Sequence, residues 1–363
     1  MESLTQFESR KQDHLRLALD PRVQTGGNGL DRIELIHEAL PEINFADIDI
    51  ATQFNVKLIN VKLKDDSHKI KLNSPLFISS MTAGHEPGAP INQALAQLSS
   101  RRKILMGVGS QRRELGDPSA RDEWRKLREQ APDAILAGNL GLAQLIQTPV
   151  DAVRGLVDSL QAVALFIHLN SLQEALQPEG TPNFRGGLQK IEELCRTLPV
   201  PVIIKEVGCG FSESTLKRLE GLGVFAVDIS GYGGTHWGRI EGLRAPENSV
   251  QAQAAVTFSH WGTSTLQSML NVSKANVTYQ IFASGGVRHG LEAAKLVALG
   301  AELVGLAQPW LAAYGQFDKD PQKGLEHLAD RLDFELKTAL FCTGCKDLSE
   351  LRRKKVWKWR HEI

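Results

Sequence analysis

Four polar side chains stand together at the end of an apolar run: His168, Asn170, Gln173 and Glu174, in Phe166-Ile167-His168-Leu169-Asn170-Ser171-Leu172-Gln173-Glu174. In a strand, His168 and Asn170 point to one face, and Gln173 and Glu174 fall in the turn just past its carboxyl end. Such a set can hold a ligand, and the carboxyl ends of the strands are where a parallel α/β barrel keeps its chemistry. Farther along, Ser284-Gly285-Gly286-Val287-Arg288 precedes a helix expected to start near His289, so backbone N–H groups and a positive helix end are offered to an anion. The run through Gly305-Leu306-Ala307-Gln308 follows, and a phosphate site after strands seven and eight recurs in such barrels. A phosphorylated ligand is expected. Lys205, ending the run Val202-Ile203-Ile204, reads as a pocket cation rather than a snorkelling surface lysine. It favours a negatively charged ligand, and a flavin ring that holds negative charge when reduced is one candidate.

For these residues to meet, the chain must bring several strand ends together. Short β-branched or aliphatic runs alternate with amphipathic segments from residue 75 onward, at 76–80, 104–108, 134–138, 163–169, 202–207, 224–229, 280–284 and 303–306. Helices are expected between most of them, at 91–101, 120–130, 149–160, 188–198, 212–221, 263–270 and 289–299, with a closing helix over 321–340. The fold class this predicts is α/β, a (β/α)8 TIM barrel with an N-terminal extension and a long loop, 231–259, after strand six. The absence of a well-placed G-x-G-x-x-G argues against an open doubly wound sheet. Other expected strand ends, Ser79-Ser80-Met81-Thr82, Ser110-Gln111-Arg112, Gly138-Asn139 and Ser230 to Thr235, complete a ring of polar groups.

Three parts are expected: residues 1–74 as an arm and lead-in packing on the barrel, 75–345 as the barrel, and 346–363 as a basic tail. Within the first, 35–42 reads as a helix end stopped by Pro41, and 54–63 as a strand. Taken alone, Arg10, Lys11 and His14 read as the solvated face of a short helix. The functional reading is an arm folding over an anion.

Lys+Arg and Asp+Glu balance at 42 each, which removes any global field for nucleic acid or an acidic membrane surface. Neither a signal peptide nor an uncharged apolar span of membrane length is found, so a cytoplasmic protein is expected. Four scattered cysteines suit a reducing compartment, and Cys342 and Cys345 read as ordinary thiols, because a structural zinc site would need a second pair. The mixed basic and aromatic stretch from Arg352 to Arg360 reads as a solvated segment or subunit contact.

The order of these loops resembles the type 2, flavin-dependent isopentenyl-diphosphate isomerases. The likeness is carried by His168-Leu169-Asn170-x-x-Gln173-Glu174, Met81-Thr82, Ser110-Gln111-Arg112, Lys205-Glu206-x-Gly208-x-Gly210, Gly233-Gly234-Thr235-x-Trp237 and Ser284-Gly285-Gly286-x-Arg288. It runs from Arg10-Lys11 to Gln308. The resemblance implies FMN held by Ser80, Met81, Thr82, Ser110, Asn139, Lys205 and Ser230. It adds Thr235, Gly286, Val287, Arg288, Ala307 and Gln308 to that set. Substrate contacts are implied for Arg10, Lys11, Ser110, Gln111, Arg112, His168, Asn170 and Gln173, with Glu174 as a magnesium ligand. The chain departs from the family at Ala83, at Gly138 and at His236, positions that flank the matching ones.

The implied reaction interconverts isopentenyl and dimethylallyl diphosphate by adding a proton at one carbon and removing one from another. Glu174 then needs to give Mg2+ only one carboxylate, since diphosphate and water oxygens complete the shell. Arg10, Lys11 and Arg112 offset the remaining charge. Gln173 does not titrate in the useful range, so the expected acid–base group is reduced FMN, with Lys205 stabilising its anionic ring, His168 orienting the substrate and NAD(P)H serving as reductant. The family suggests a homotetramer or homo-octamer. The alternative is an FMN-dependent TIM-barrel oxidoreductase of the hydroxy-acid or nucleotide dehydrogenase type, with His236 or His260 as base. A flavin- or phosphate-binding sensor is the non-enzymatic reading.

Overall fold

The computed structural model describes residues 4–55, 69–81, 86–317 and 320–360. Eight parallel strands close into a barrel, each hydrogen-bonded to the next in chain order and the last to the first. They are β1 (Leu76–Ile78), β2 (Leu105–Gly107), β3 (Ile135–Gly141), β4 (Ala164–Leu169), β5 (Val202–Glu206), β6 (Ala226–Asp228), β7 (Gln280–Ala283) and β8 (Leu303–Leu306). All eight expected runs are strands, and the fold is the (β/α)8 barrel that the alternation predicts.

Alternation within the strands sets the floor of the site. Phe77, Leu105, Ala137, Phe166, Ile203, Ala226, Phe282 and Leu303, one from each strand, form a single buried cluster inside the barrel. Phe77 stacks on Phe166 with ring centroids 6.2 Å apart, and Phe282 tilts against Phe77 at 5.9 Å. Two residues later on each chain the same inward face carries Ser79, Gly107, Asn139, His168, Lys205, Asp228, Ser284 and Gly305. The polar layer therefore rests directly on an apolar plug. Outward residues such as Met106, Leu136, Ile167, Ile204 and Val227 join the main core beneath the surrounding helices.

The barrel is covered at both ends. An antiparallel hairpin, Thr52–Asn55 with Lys69–Leu72, adds Phe54, Ile70 and Leu72 to the apolar plug. The strand expected over 54–63 thus begins earlier, and residues 56–68 lie outside the described residues. Helix Leu4–Leu17 lies over the opposite opening.

Two segments differ from expectation. No helix forms over 35–42; instead Ile33–Leu35 pairs antiparallel with Trp357–Trp359, a partner too distant in sequence for local pattern to reveal. The basic stretch is accordingly part of a small sheet. The long loop after β6 holds helices Trp237–Arg244 and Val250–Thr257, whose first turns are capped by His236 and Ser249. Among the described residues no helix is long and apolar enough to cross a membrane.

Candidate active site

Strand register puts His168 beside Lys205 and Lys205 beside Asp228 across β4, β5 and β6. Lys205 Nζ donates to Asp228 Oδ2 (3.0 Å), Glu206 O (3.0 Å) and Ser230 Oγ (3.3 Å), and Asp228 Oδ1 accepts from Ser284 Oγ at 2.7 Å. The pocket cation thus comes with a buried counter-ion. Asp228 is a residue that sequence reasoning missed, although it follows Ala226 with the same inward alternation that identified Lys205. The neighbouring Glu206 carboxylate accepts backbone N–H groups of Val207 (2.7 Å), Gly208 (2.7 Å), Cys209 and Gly210 (3.1 Å), so it shapes the loop that carries Gly208 to the cavity wall.

His168 Nδ1 lies 2.7 Å from Asn139 Oδ1. Desolvation first, then the charges of Lys11 and Lys205, lower the imidazole to about 3, so it is neutral with its proton on Nδ1 facing Asn139. Asn170, Gln173 and Glu174 follow on and beside the short helix Ser171–Leu176. Asn170 Nδ2 donates to Gln173 Oε1 (3.1 Å) and Glu174 Oε1 (3.2 Å), and its own Oδ1 is buried without a partner. Glu174 Oε2 accepts from Thr181 N at 2.6 Å.

The amide of Gln173 is fixed from a second direction. Its Nε2 donates to Glu241 Oε1 at 2.9 Å, on a carboxylate that also accepts from His14 Nε2 (2.9 Å) and Arg244 Nη1 (2.5 Å). Burial alone would raise Glu241, but the His14 bond, the neighbouring cationic charge and the Gln173 bond bring it down to about 2. It is ionised. His14, lowered to about 4 chiefly by burial, is its neutral donor and packs edge-on to Trp237 at 5.1 Å. Sequence reasoning missed Glu241 because its helix was read as loop. It took His14 for a solvated residue, whereas His14 and Arg10 lie four apart on one helical face, 6% and 5% exposed.

Arg10, Lys11 and His14 bring that helix over the cavity, and Ser110 and Arg112 line it from the loop after β2. Gln111 does not line it. Its side chain is buried beneath the loop, where Oε1 accepts from Asn139 N (3.1 Å) and Nε2 donates to Leu156 O (3.3 Å). The side chain of Gln111, implied as a substrate contact, thus supports β3 and stands outside the cavity lining.

At the other end the lining includes Ser79, Ser80, Met81, Ser230, Thr235, Gly286, Val287, Arg288, Ala307 and Gln308. Thr82 lies outside the described residues. At the helix start near His289 two N–H groups are already taken, Glu292 N by His289 Nδ1 and Gly290 N by Glu335 Oε2, while the loop before it lines the cavity through Gly286, Val287 and Arg288. Helix Gln308–Gly315, after β8, also starts at the cavity, without a side-chain cap. One further observation fits a bound FMN, and another shows how closely the loops beside the cavity nest. The hydroxyl oxygens of Ser79 and Ser80 are buried without partners, and a Cβ on Gly286, at φ +73°, would collide with the Gly233 carbonyl.

Among the described residues no group of three or more His, Cys, Asp or Glu is placed to hold a metal ion. His236 and His260 are outside the lining. His236 Nδ1 accepts from Arg239 N (3.1 Å) while Nε2 faces Trp261 O (3.1 Å), and His260 Nδ1 meets Tyr232 Oη at 3.0 Å. Neither is placed to act as a flavin-side base. All four cysteines are free.

The buried titrating groups predict a distinctive acid profile. Folding lowers His14 and His168 from 6.5 to about 4 and about 3, and burial raises Glu114 and Glu206 from 4.5 to about 7. Between pH 4.5 and 6.5 the unfolded chain holds the extra protons on the histidines and the folded chain holds them on the carboxyls, so the two pairs cancel. Below pH 4.5 those two carboxyls no longer differ between the states, whereas His14 down to about pH 4, His168 down to about pH 3, and the lowered carboxylates Glu241 and Asp20 down to about pH 2 bind more protons unfolded, so stability falls as the pH drops. The apoprotein melting temperature is expected to stay nearly level from pH 6.5 to 4.5 and then drop. A steep fall already within that window would contradict the assignment.

Comparison with known proteins places this site in a family. Residues 170–358 match the family model described as FMN-dependent dehydrogenase. The chain is 58% identical to the isopentenyl-diphosphate delta-isomerase of Bdellovibrio bacteriovorus over 98% of its own length and 99% of the relative's. It is 49% identical to that of Legionella pneumophila (strain Corby), covering 96% and 98%, and 43% to that of Nostoc sp., covering 96% and 95%. Among solved structures, a mutant flavocytochrome b2 superposes with TM-score 0.63 at 19% identity, covering 95% of this chain and 82% of the other, and (S)-mandelate dehydrogenase with 0.63 at 13%, covering 99% and 100%. Those two share the barrel. Full-length identity is a stronger statement: the chain belongs to the isopentenyl-diphosphate delta-isomerase family, on the barrel of the FMN-dependent dehydrogenases.

Proposed function

We propose that the chain interconverts isopentenyl and dimethylallyl diphosphate with reduced FMN bound, and that the residues divide the work as follows. Arg10, Lys11 and Arg112 receive the diphosphate, whose charge they offset through charge-assisted bonds. Glu174 gives one carboxylate oxygen to Mg2+, held in place by Asn170 and Thr181 N. Neutral His168 and Asn170 orient the substrate, and Lys205 presents a cation on the flavin side.

The observation that carries this reading is the state of Gln173. It lines the cavity, it cannot titrate, and both ends of its amide are fixed, by Asn170 and by ionised Glu241. The two histidines of the lining are neutral at physiological pH. Reduced FMN, when bound, supplies the exchangeable proton that the side chains facing the five-carbon unit do not. Gln173 then keeps that unit in register, and the covering helix with Arg10 and His14 excludes bulk water. NAD(P)H serves to bring FMN to the reduced state and is not consumed stoichiometrically.

The test is product formation under anaerobic conditions with FMN oxidised and then reduced. Turnover is expected only in the reduced state, with catalytic rather than stoichiometric use of hydride; equal rates in both states would sink the assignment. The same reading makes the protein cytoplasmic and a homotetramer or homo-octamer. Support for association comes from Val250, Val256 and Trp261 after β6, which are 78%, 74% and 58% exposed.

A further inference from the structure

The glycine-rich segment Thr25-Gly26-Gly27-Asn28-Gly29 has no part in the chemistry described so far, yet it is sewn to the loops after β6 and β7. Gln24 forms an antiparallel bridge with Thr235, and Thr25 donates from N (2.8 Å) and Oγ1 (2.9 Å) to Gly234 O. Asn28 is 5% exposed and lies outside the cavity lining. Both hydrogens of its amide are used, one toward Gly286 O (2.9 Å) and one toward Glu292 Oε1 (2.7 Å), while its Oδ1 accepts from Leu30 N (3.0 Å). Glu292 Oε2 in turn accepts from Arg288 N at 2.8 Å. Arg288 closes the ring, donating at 2.8 Å to Gly286 O, Thr25 O and Gly233 O.

We propose that Asn28 is a positioning residue for FMN phosphate: by pinning Gly286 O it aims the N–H of Val287 into the cavity. The inference rests on the FMN reading given above. Its basis is the geometry of one peptide unit. In a planar trans peptide the C=O and the following N–H point in opposite directions. Gly286 O is drawn toward Asn28, which is outside the cavity, so the Val287 N–H on the same unit is directed the other way, and Val287 lines the cavity. The same rule applies one loop over, where Thr25 pins Gly234 O and thereby orients the N–H of Thr235, a second lining residue.

The packing leaves no slack. Gly233, at φ +142°, abuts the backbone and Cβ of Asn28, and Gly286 abuts Gly233 O, so the three loops nest in order. Arg288 places its side-chain donors on backbone carbonyls, which makes it a clamp on this assembly as well as a lining residue. Phosphate is then met by N–H groups fixed before it arrives.

Binding of FMN and of riboflavin to the apoprotein, followed by flavin fluorescence quenching, tests this without turnover. Wild type is expected to prefer FMN. In Asn28→Ala and in Asn28→Asp, which sets a second carboxylate beside Glu292, FMN affinity should fall about tenfold or more, the scale of one or two lost hydrogen bonds, while riboflavin affinity holds. Using two variants guards against one failing to fold, and apoprotein melting curves identify such a failure. An FMN-to-riboflavin ratio equal to wild type in a folded variant overturns the role of Asn28 alone. Equal loss of both flavins also overturns it, since that marks general damage to the cavity. If wild type itself does not distinguish the two flavins, the phosphate reading of these loops fails and the inference falls with it.

Discussion

Replacing Lys205 by Met is expected to destabilise the apoprotein by roughly 3–5 kcal/mol, the usual cost of leaving one member of a buried ion pair alone. Lys205 Nζ sits 3.0 Å from Asp228 Oδ2, with side chains 6% and 0% exposed, and no solvent reaches Asp228 to take over the cation's part. Methionine keeps the stem and loses the charge. The double replacement Lys205→Met with Asp228→Asn should recover most of that stability, because Ser284 and Ser230 can still bond an amide at 228. It should not recover catalysis if the cation also serves the reduced flavin. Denaturant unfolding of the single and double variants, with anaerobic turnover measured in parallel, separates the roles. A single variant as stable as wild type would refute the structural half, and a double variant with full activity would refute the catalytic half.

Glu174→Gln is expected to cut kcat/KM by at least ~10²-fold at fixed Mg2+, since outer-sphere changes alone typically cost 10–100-fold, and to raise the Mg2+ concentration needed for half-maximal rate. The carboxylate has one acceptor bond at each oxygen, Asn170 Nδ2 at Oε1 and Thr181 N at Oε2. A glutamine must turn its NH2 toward one of these donors, so a modest loss of stability accompanies the kinetic effect. Melting curves measure that part separately. A magnesium titration identical to wild type would remove Glu174 from the metal site, whatever the rate.

How far the site could be read in advance depended on how local its cause was. Strand ends were legible because period-2 alternation is local: Phe166 and His168, or Ile203 and Lys205, lie on one face by geometry alone. Asp228 obeys the same rule and lies inside the expected run 224–229, but nothing local to it signals the lysine 23 positions away that it pairs with. Glu241 and His14 owe their burial to each other across 227 positions, and neither carries a local sign of that partner. At the helix start near His289 the partners of two N–H groups are equally hidden from local pattern. Glu292 and Glu335 arrive from one turn on and from another helix to occupy the N–H groups of Arg288 and Gly290. Gln111 likewise sits in a motif whose neighbours face the cavity, and only the packing against Leu156 shows that it turns away.

The small sheet of Ile33–Leu35 with Trp357–Trp359 has a consequence for how the molecule is made. Beyond the strand register it is tied by Arg360 N to Arg32 O (2.9 Å), Ile36 N to Val356 O (2.8 Å) and Lys358 Nζ to Glu34 Oε1 (3.1 Å). Residues 33–35 follow directly on the segment that braces the loops after β6 and β7 and on the helix that covers the cavity. On the ribosome those early residues emerge long before residues 357–359 are translated, so they must wait as an unfastened strand while the barrel closes. This pairing is among the least local in the fold, and loop-closure entropy makes such contacts slow to form. Anchoring of the cover is therefore expected to be a late event of biogenesis, completed only after synthesis has reached the partner strand.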